Sequence, residues 1–497
     1  MSNIRVTYSG LISLAVGLSS LITGTIFTLI VTRSLTPEEF GTWGLIGGLL
    51  SYVLIAEPII SYWTTREVAR EEKSGKTAIV TSSMFSVIAI FAYIVIVYFV
   101  SLGTDADSDV LSFALILIPV MFLNKTLTAI NLGWKPQAKS YGLFVFEIVK
   151  IPTALLFVYF LDLSIHGAIL ATSVSYIGSI VVLAIFAKEQ IKNKINFSYL
   201  RKWIKLSWLS LYPGLSTLIF SLDVAIFSII TGSVIGLSYY SASLAVASFV
   251  AHSGLISQAL YAKFLGGGKR EHLHKNLIRF FYFSFPLTAL SIIMAKPGLF
   301  ALNPLYQIAV PVVIFLTLRA FFYTLSGIFE NSLIGIETVD MKSNQTFRAF
   351  VKSKLFLLPT IRLIKYSSYT ISLLIVFMLL SNSLEQIELI IGWSIISFLI
   401  EIPFFVYFYL LIRKNFNFMI PIIPLTKYII TSIGVFLLTY FLMEKYLIYE
   451  NSIFNFLPQV MLFVVFGISL YLGITYFIDK RTKNLFNSVI AELKNKE

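Results

Sequence analysis

The sequence predicts an all-α polytopic membrane protein with about 14 transmembrane helices, organised as six plus six plus two. Three observations predict it. Mean hydropathy is +0.85 and only 13% of the residues are charged, against about 25% in soluble domains. Apolar stretches of about 20 residues, enough to cross roughly 30 Å of hydrocarbon, follow one another along the whole chain. Lysine and arginine are also sorted between the connections. Of 38 such residues, roughly 32 lie in every second connection or at the ends, and about three (Arg33, Lys296, Lys445) lie in the others. Basic residues are retained on the cytoplasmic side, so the alternation implies a cell-membrane protein with both termini in the cytoplasm.

The elements follow in order. Span 1 (about 9–32) ends in a short outer turn from Arg33 to Gly41, and span 2 (about 42–62) returns to a basic loop at 66–76. Spans 3 and 4 (about 78–101 and 110–132) flank an acidic outer loop with Asp105, Asp107 and Asp109. Spans 5 and 6 (about 141–161 and 166–187) complete an N-terminal six-helix bundle over 1–190. Residues 191–206 alternate apolar positions with Lys192, Lys194, Arg201 and Lys202, which reads as an amphipathic linker at the inner interface. A second six-helix bundle covers 207–415, with its seventh and eighth spans at about 207–231 and 236–260. An added helix pair covers 416–480, and a cytoplasmic tail covers 481–497. Repeated six-helix units are a common transporter plan.

Absences narrow the function. The net charge of +13 is distributed beside spans, where it sets topology and meets anionic membrane lipids, so no nucleic-acid partner is expected. No Walker A pattern occurs. Gly266-Gly267-Gly268 before Lys269 follows a span rather than a strand and reads as a loop. There is no cysteine, and no metal site or cofactor is expected. Outer loops are too short for a catalytic domain, which argues against an enzyme.

A charge inside hydrocarbon costs about 2.5–3.5 kcal/mol even on the lenient insertion scale, so buried charge marks the candidates. The cations within spans are Lys125, Lys150 and Arg319; the acids are Glu57, Glu147, Asp223, Glu330 and Glu401. Lys150 lies about 15 Å from the inner end of span 5. Glu147 is one turn away on the same face, so the two read as a cargo contact or as a self-neutralised pair. Arg319 is again near midplane, and Glu330 shares its stripe with Tyr323 and Ser326 between. Lys125 lies nearer the inner surface, within snorkelling reach. Asp223 has no cation on its own helix, and Glu57 and Glu401 lie beside Pro58 and Pro403. These acids are the candidates for H⁺ or Na⁺ coupling. Gly10, Gly17 and Gly24, with Ser13 and Ser20, give span 1 a small face suited to close packing or to lining a cavity.

The stretch from Val31 to Arg70 carries a resemblance. Arg33-Ser34-Leu35-Thr36-Pro37-Glu38-Glu39-Phe40-Gly41, followed by a span and then Arg66-Glu67-Val68-Ala69-Arg70, resembles the opening of Wzx-type polysaccharide flippases. These form the polysaccharide transporter family of the MOP exporter superfamily, related to MATE transporters, with the pattern R-x-L-x-P-x-x-[FY]-G. Ala56-Glu57-Pro58 departs from the small residue or Asp-x-Gly often found there. The resemblance implies a MATE-like V of two six-helix bundles that open alternately to each side. It implies a polyprenyl-(pyro)phosphate-linked oligosaccharide as cargo, handed on by glycan-assembly enzymes. It also implies a cation-lined cavity, for which Lys150, Arg319, Lys125 and the motif residue Arg33 are candidates. A cation-coupled MATE-like exporter and a membrane glycosyltransferase or polymerase are the alternatives.

Overall fold

The computed structural model describes residues 6–257, 260, 264, 271–337, 351–417 and 419–483. Within them the chain is helical, with no strand. The triple glycine with Lys269, most of the tail, and part of the second long basic connection lie outside the described residues.

The helices are α1 Val6–Ser34, α2 Pro37–Val53, α3 Pro58–Ala69, α4 Gly75–Ser101, α5 Ser108–Phe113, α6 Leu117–Trp134, α7 Gln137–Ala154, α8 Ser164–Ile191, α9 Phe197–Lys205 and α10 Ser207–Thr231. They continue as α11 Ile235–Ala247, α12 Glu271–Ile293, α13 Ala295–Leu302, α14 Val310–Gly335, α15 Lys354–Leu380, α16 Gln386–Phe416, α17 Ile422–Tyr446 and α18 Ile453–Ile478. Among the described residues 12 helices are long and apolar enough to cross a membrane. They correspond to all the expected spans except the first and the eighth. The first is α1, of which Ile22–Ser34 is a shorter apolar helix. The eighth breaks after the 13 residues of α11 into a 3-10 segment, Ser248–Ser257. The tighter winding there is held by side chains. Ser253 donates to Val250 O at 2.7 Å, and Asn276 of α12 donates to Ile256 O at 3.2 Å.

Two compact units are present. The first takes Met1–Ala242 with Pro359–Ile396, and the second takes Ser243–Leu358 with Ser397–Glu497. The core of the first includes Ile59, Ile60, Leu127, Ile130, Leu183 and Trp203. Helices α3 and α6 approach closely at Gly133, where a Cβ would lie 2.6 Å from Thr65 O. Also in this unit, Tyr369 donates to Asp223 Oδ2 at 2.7 Å and accepts from Trp393 Nε1 at 2.6 Å, and Tyr240 stacks on Trp393 at 4.0 Å. The second unit is built on aromatic contacts that run through Phe281, Phe321, Phe322, Phe405 and Phe329. The C-terminal pair joins this unit by packing on α12, with Tyr471 donating to Tyr282 O at 2.8 Å, and Tyr428 of α17 holds the pair together by donating to Asp479 after α18 at 2.7 Å. Large apolar side chains stay exposed on many helices, among them Phe91, Phe160, Ile430 and Leu462. In a membrane these faces meet lipid.

The amphipathic linker is helix α9. Trp203 turns inward and is fully buried, whereas Phe197 and Ile204 are exposed. Glu67 of α3 accepts from Lys202 Nζ at 2.9 Å and from Trp203 Nε1 at 3.2 Å, so one carboxylate fastens the linker to the C-terminal end of α3.

The motif around Gly41 has a packing reason. Thr36 caps α2, Pro37 pre-sets its first turn, and Glu39 completes a capping box by accepting from Thr36 N at 2.9 Å. Glu39 also accepts from the Ser164 hydroxyl, tying α2 to the start of α8. A Cβ at Gly41 would sit 2.0 Å from Val234 O. Only glycine lets α2 approach the backbone there. Gly41→Val should therefore destabilise the protein by about 1–3 kcal/mol through overpacking. Gly47→Ala, with nothing within 4 Å, should leave stability unchanged. Thermal unfolding in detergent checks both.

Candidate functional site

A cavity of about 720 Å³ opens inside the first unit, walled by α3, α6, α7 and α8. Its α3 wall begins at a bend. Pro58 has no amide proton, so the turn before it tightens to a 3-10 segment, with Glu57 N donating to Leu54 O at 3.1 Å. The bend places Glu57 on the cavity wall. From there Glu57, Ser61 and Thr65 recur every four residues, with Pro58, Tyr62 and Arg66 beside them. These two adjacent rows form one polar face of the helix, and all six residues line the cavity.

Helix α6 contributes Asn124, Lys125 and Thr128. Asn124 donates to Ser179 Oγ of α8 at 2.8 Å, which orients its amide. Helix α7 contributes Lys139, Leu143 and Phe146, and α8 contributes Tyr176 and Ser179. The Phe146 and Tyr176 rings are in contact, with centroids 4.8 Å apart. Arg66 is held with its guanidinium carbon 4.4 Å from the Tyr62 ring centroid. The charged residues on the wall are therefore Arg66, Lys125, Lys139 and Glu57, a net charge of two positive. Glu57 is 4% exposed. Its Oε2 accepts from Ser61 at 3.2 Å, and its Oε1 has no hydrogen-bond partner among the described residues. Lys125 lies within electrostatic reach of Glu57.

The structure thus brings Glu57 and Lys125 together. It gathers Lys150 and Glu147 elsewhere, between α1 and α7. Lys150 Nζ lies 2.7 Å from Glu147 Oε2 and close to two rings, 5.3 Å from Phe27 and 5.2 Å from Phe146. Ser20 and Thr23 of α1 each donate to Glu147 at 2.6 Å. Of the small face of α1, Ser20 meets α7 through Glu147, whereas a Cβ at Gly24 would find nothing within 4 Å. Of the remaining candidates, Asp223 is buried beneath Tyr369, and Arg33 is half-buried in the last turn of α1. Arg319, Glu330 and Glu401 belong to the second unit, on α14 and α16. Glu330 and Glu401 are buried, Arg319 is partly so, and each has an interaction partner. Among the described residues no three histidine or acidic side chains are placed to hold a metal ion.

Arg66 and Lys139 were not among the expected site residues, because each reads as a topology-setting charge at a span end. The four-residue recurrence of Glu57, Ser61 and Thr65 beside Tyr62 and Arg66 was the available signal.

No protein-family model matches the chain, and no curated protein matches it by sequence. Solved structures do. The lipid II flippase MurJ, in an inward closed conformation, aligns with a TM-score of 0.66 at 16% identity, over 94% of this chain and 98% of its own. The chain shares the fold of that structure. An inward-facing multidrug resistance MATE family transporter of the MOP superfamily aligns with a TM-score of 0.59 at 13% identity, over 82% of this chain and 98% of its own. A MOP superfamily transporter from Pyrococcus furiosus aligns with a TM-score of 0.52 at 14% identity, over 84% and 96%.

The buried pair gives a double-mutant test. Lys150→Met alone leaves Glu147 buried without its cation and should cost about 3–5 kcal/mol. Adding Glu147→Gln should recover most of that loss, read as the unfolding temperature in detergent.

Proposed function

We propose that the chain is a flippase that carries a polyprenyl-(pyro)phosphate-linked oligosaccharide from the cytoplasmic to the outer leaflet of the cell membrane. The observation that carries this reading is the cavity of the first unit. It offers three cations against one carboxylate, with hydroxyls, an amide and aromatic rings around them. A diphosphate bridging lipid and sugar has one negative charge on each phosphate, which the net charge of the wall balances. Each sugar hydroxyl loses several kcal/mol of hydration in an alkane-like medium, and the polar wall supplies replacement partners. Phe146, Tyr62 and Tyr176 offer faces on which a pyranose ring can lie.

Alternating access of the two six-helix bundles, with the C-terminal pair attached, would carry cargo held on the wall of the N-terminal bundle, with both termini cytoplasmic. Lys150 is best understood as the strut that holds α1 on α7, since Glu147 and two rings already occupy it. Arg319 and Arg33 are proposed as secondary cargo contacts. H⁺ or Na⁺ coupling would fall to the buried acids Asp223, Glu57, Glu330 or Glu401. Glu147 suits it least, because it already holds a cation and two hydroxyls. Enzymes of glycan assembly would supply and consume the cargo.

The rival reading, a cation-coupled exporter of small molecules, calls for a cavity dominated by acids, and cations outnumber acids on this wall. The extent of the alignments also supports the flippase. MurJ matches 94% of the chain against 82% for the MATE transporter, a difference on the scale of the α17–α18 pair.

The protein reconstituted in vesicles should bring a fluorescent lipid-diphosphate oligosaccharide to an outside quencher without ATP. Arg66→Ala and Lys125→Ala should each slow this by about tenfold or more, the loss expected for a charge-assisted hydrogen bond. Insertion into the membrane should be unchanged. Wild-type rates in both variants would refute the assignment.

A further inference from the structure

We infer that Glu57 reads the sugar of the cargo, accepting a hydrogen bond from a hydroxyl or amide N–H of the first pyranose. This rests on the flippase reading and assigns the polar wall an orientation: diphosphate toward the cytoplasmic mouth, sugar at the deep end.

The argument begins with an imbalance. Glu57 Oε1 is buried and lacks a donor, although the side chain is only 4% exposed and lines the cavity. A buried acceptor left unsatisfied costs about 1–3 kcal/mol, and more when charged. The structure tolerates this at a wall where a ligand can supply the donor. A phosphate diester cannot supply it, because all its exposed oxygens are acceptors and its charge is repelled by the carboxylate. A sugar can, since every hydroxyl is a donor. Asn124 points the same way. One of its two amide N–H groups is committed to Ser179, and its carbonyl oxygen can accept from a ligand. Both groups can therefore take donors.

Position sets the polarity of the site. Arg66 is nine residues beyond Glu57 on the wall that begins at Pro58, about 13 Å along the helix axis. That length holds one pyranose and a diphosphate end to end. Arg66 lies in the last turn of α3, which the flippase reading puts on the cytoplasmic side, and Lys139 in the first turn of α7. Phosphate between these two and Lys125 leaves Glu57 facing the sugar. Glu57 thus rewards a glycosylated lipid over the bare carrier, which keeps the unloaded carrier from competing for transport.

The test compares two probes of equal charge on the full chain in lipid nanodiscs. One is farnesyl diphosphate carrying a single glucose; the other is the methyl ester of farnesyl diphosphate. Wild type should prefer the glucosylated probe. Glu57→Ala should weaken that probe by about tenfold and leave the methyl ester unchanged or tighter, because a carboxylate no longer opposes the phosphates. Glu57→Gln keeps an acceptor oxygen and should stay within about threefold of wild type. On the unaltered protein, the glucosylated probe should shield Glu57 from dicyclohexylcarbodiimide, and the methyl ester should not.

Equal weakening of both probes by Glu57→Ala, or of neither, overturns the inference, as does a Na⁺-dependent affinity abolished in both variants. Wild type that binds both probes equally overturns the sugar-reading role but leaves the flippase reading standing. Binding of neither probe by the folded wild type overturns both.

Discussion

A charge or polar group in hydrocarbon must find its partners inside the protein, because no water is there to serve. This constraint orders the interior. Glu147 collects Lys150, Ser20 and Thr23 around itself and so binds α1 to α7. Asp223 takes the Tyr369 hydroxyl, which takes Trp393, so that α10, α15 and α16 are joined by one chain of donors. Hydroxyls of Thr28, Thr32, Ser175, Ser228 and Thr439 fold back on carbonyls four residues earlier in their own helices, which satisfies them without a neighbour. Among the described residues several buried hydroxyls lack a partner, but Glu57 Oε1 is the one such carboxylate oxygen, and its residue lines a cavity.

Two departures from regular helix fall near the same region. Pro58 bends the second expected span and turns Glu57 to the cavity. Pro152 interrupts α7 just after Lys150, and the chain continues as a π-helix over Leu155–Phe160. Such bulges are frequent at functional sites. Helix α3 carries both sides of another connection. Arg66 lines the cavity, and its neighbour Glu67 fastens the linker helix α9 through Lys202 and Trp203. A shift of α3 on loading would be felt by the linker directly, since adjacent residues serve the two contacts.

Much of this was legible in the residues. Hydropathy and the sorting of lysine and arginine marked the helices, and the R-x-L-x-P-x-x-F-G stretch marked a turn whose Gly41 proves to be a contact position. The pairing of Glu147 with Lys150 followed from their three-residue spacing on one helix. The pairing of Asp223 with Tyr369 did not, since 146 residues separate them. The eighth expected span carries no proline or charged residue to announce a break at Ser248, because the 3-10 winding there is fixed partly by Asn276 of α12. Arg66 and Lys139 read as topology signals for a related reason. A cation at the end of a span serves orientation in every membrane protein, and only the neighbouring helices decide whether it also faces a hollow.

The sequence by itself determined that the chain is a bundle of membrane-crossing helices and which residues are too costly to face lipid. Both follow from local properties: length, apolarity, and the position of each charge within its own span. Only the tertiary structure decided which costly residues neutralise one another and which remain open to a ligand. That choice depends on helices distant in sequence coming side by side, as α3, α6, α7 and α8 do around Glu57 and Lys125. No periodicity within a single span encodes it.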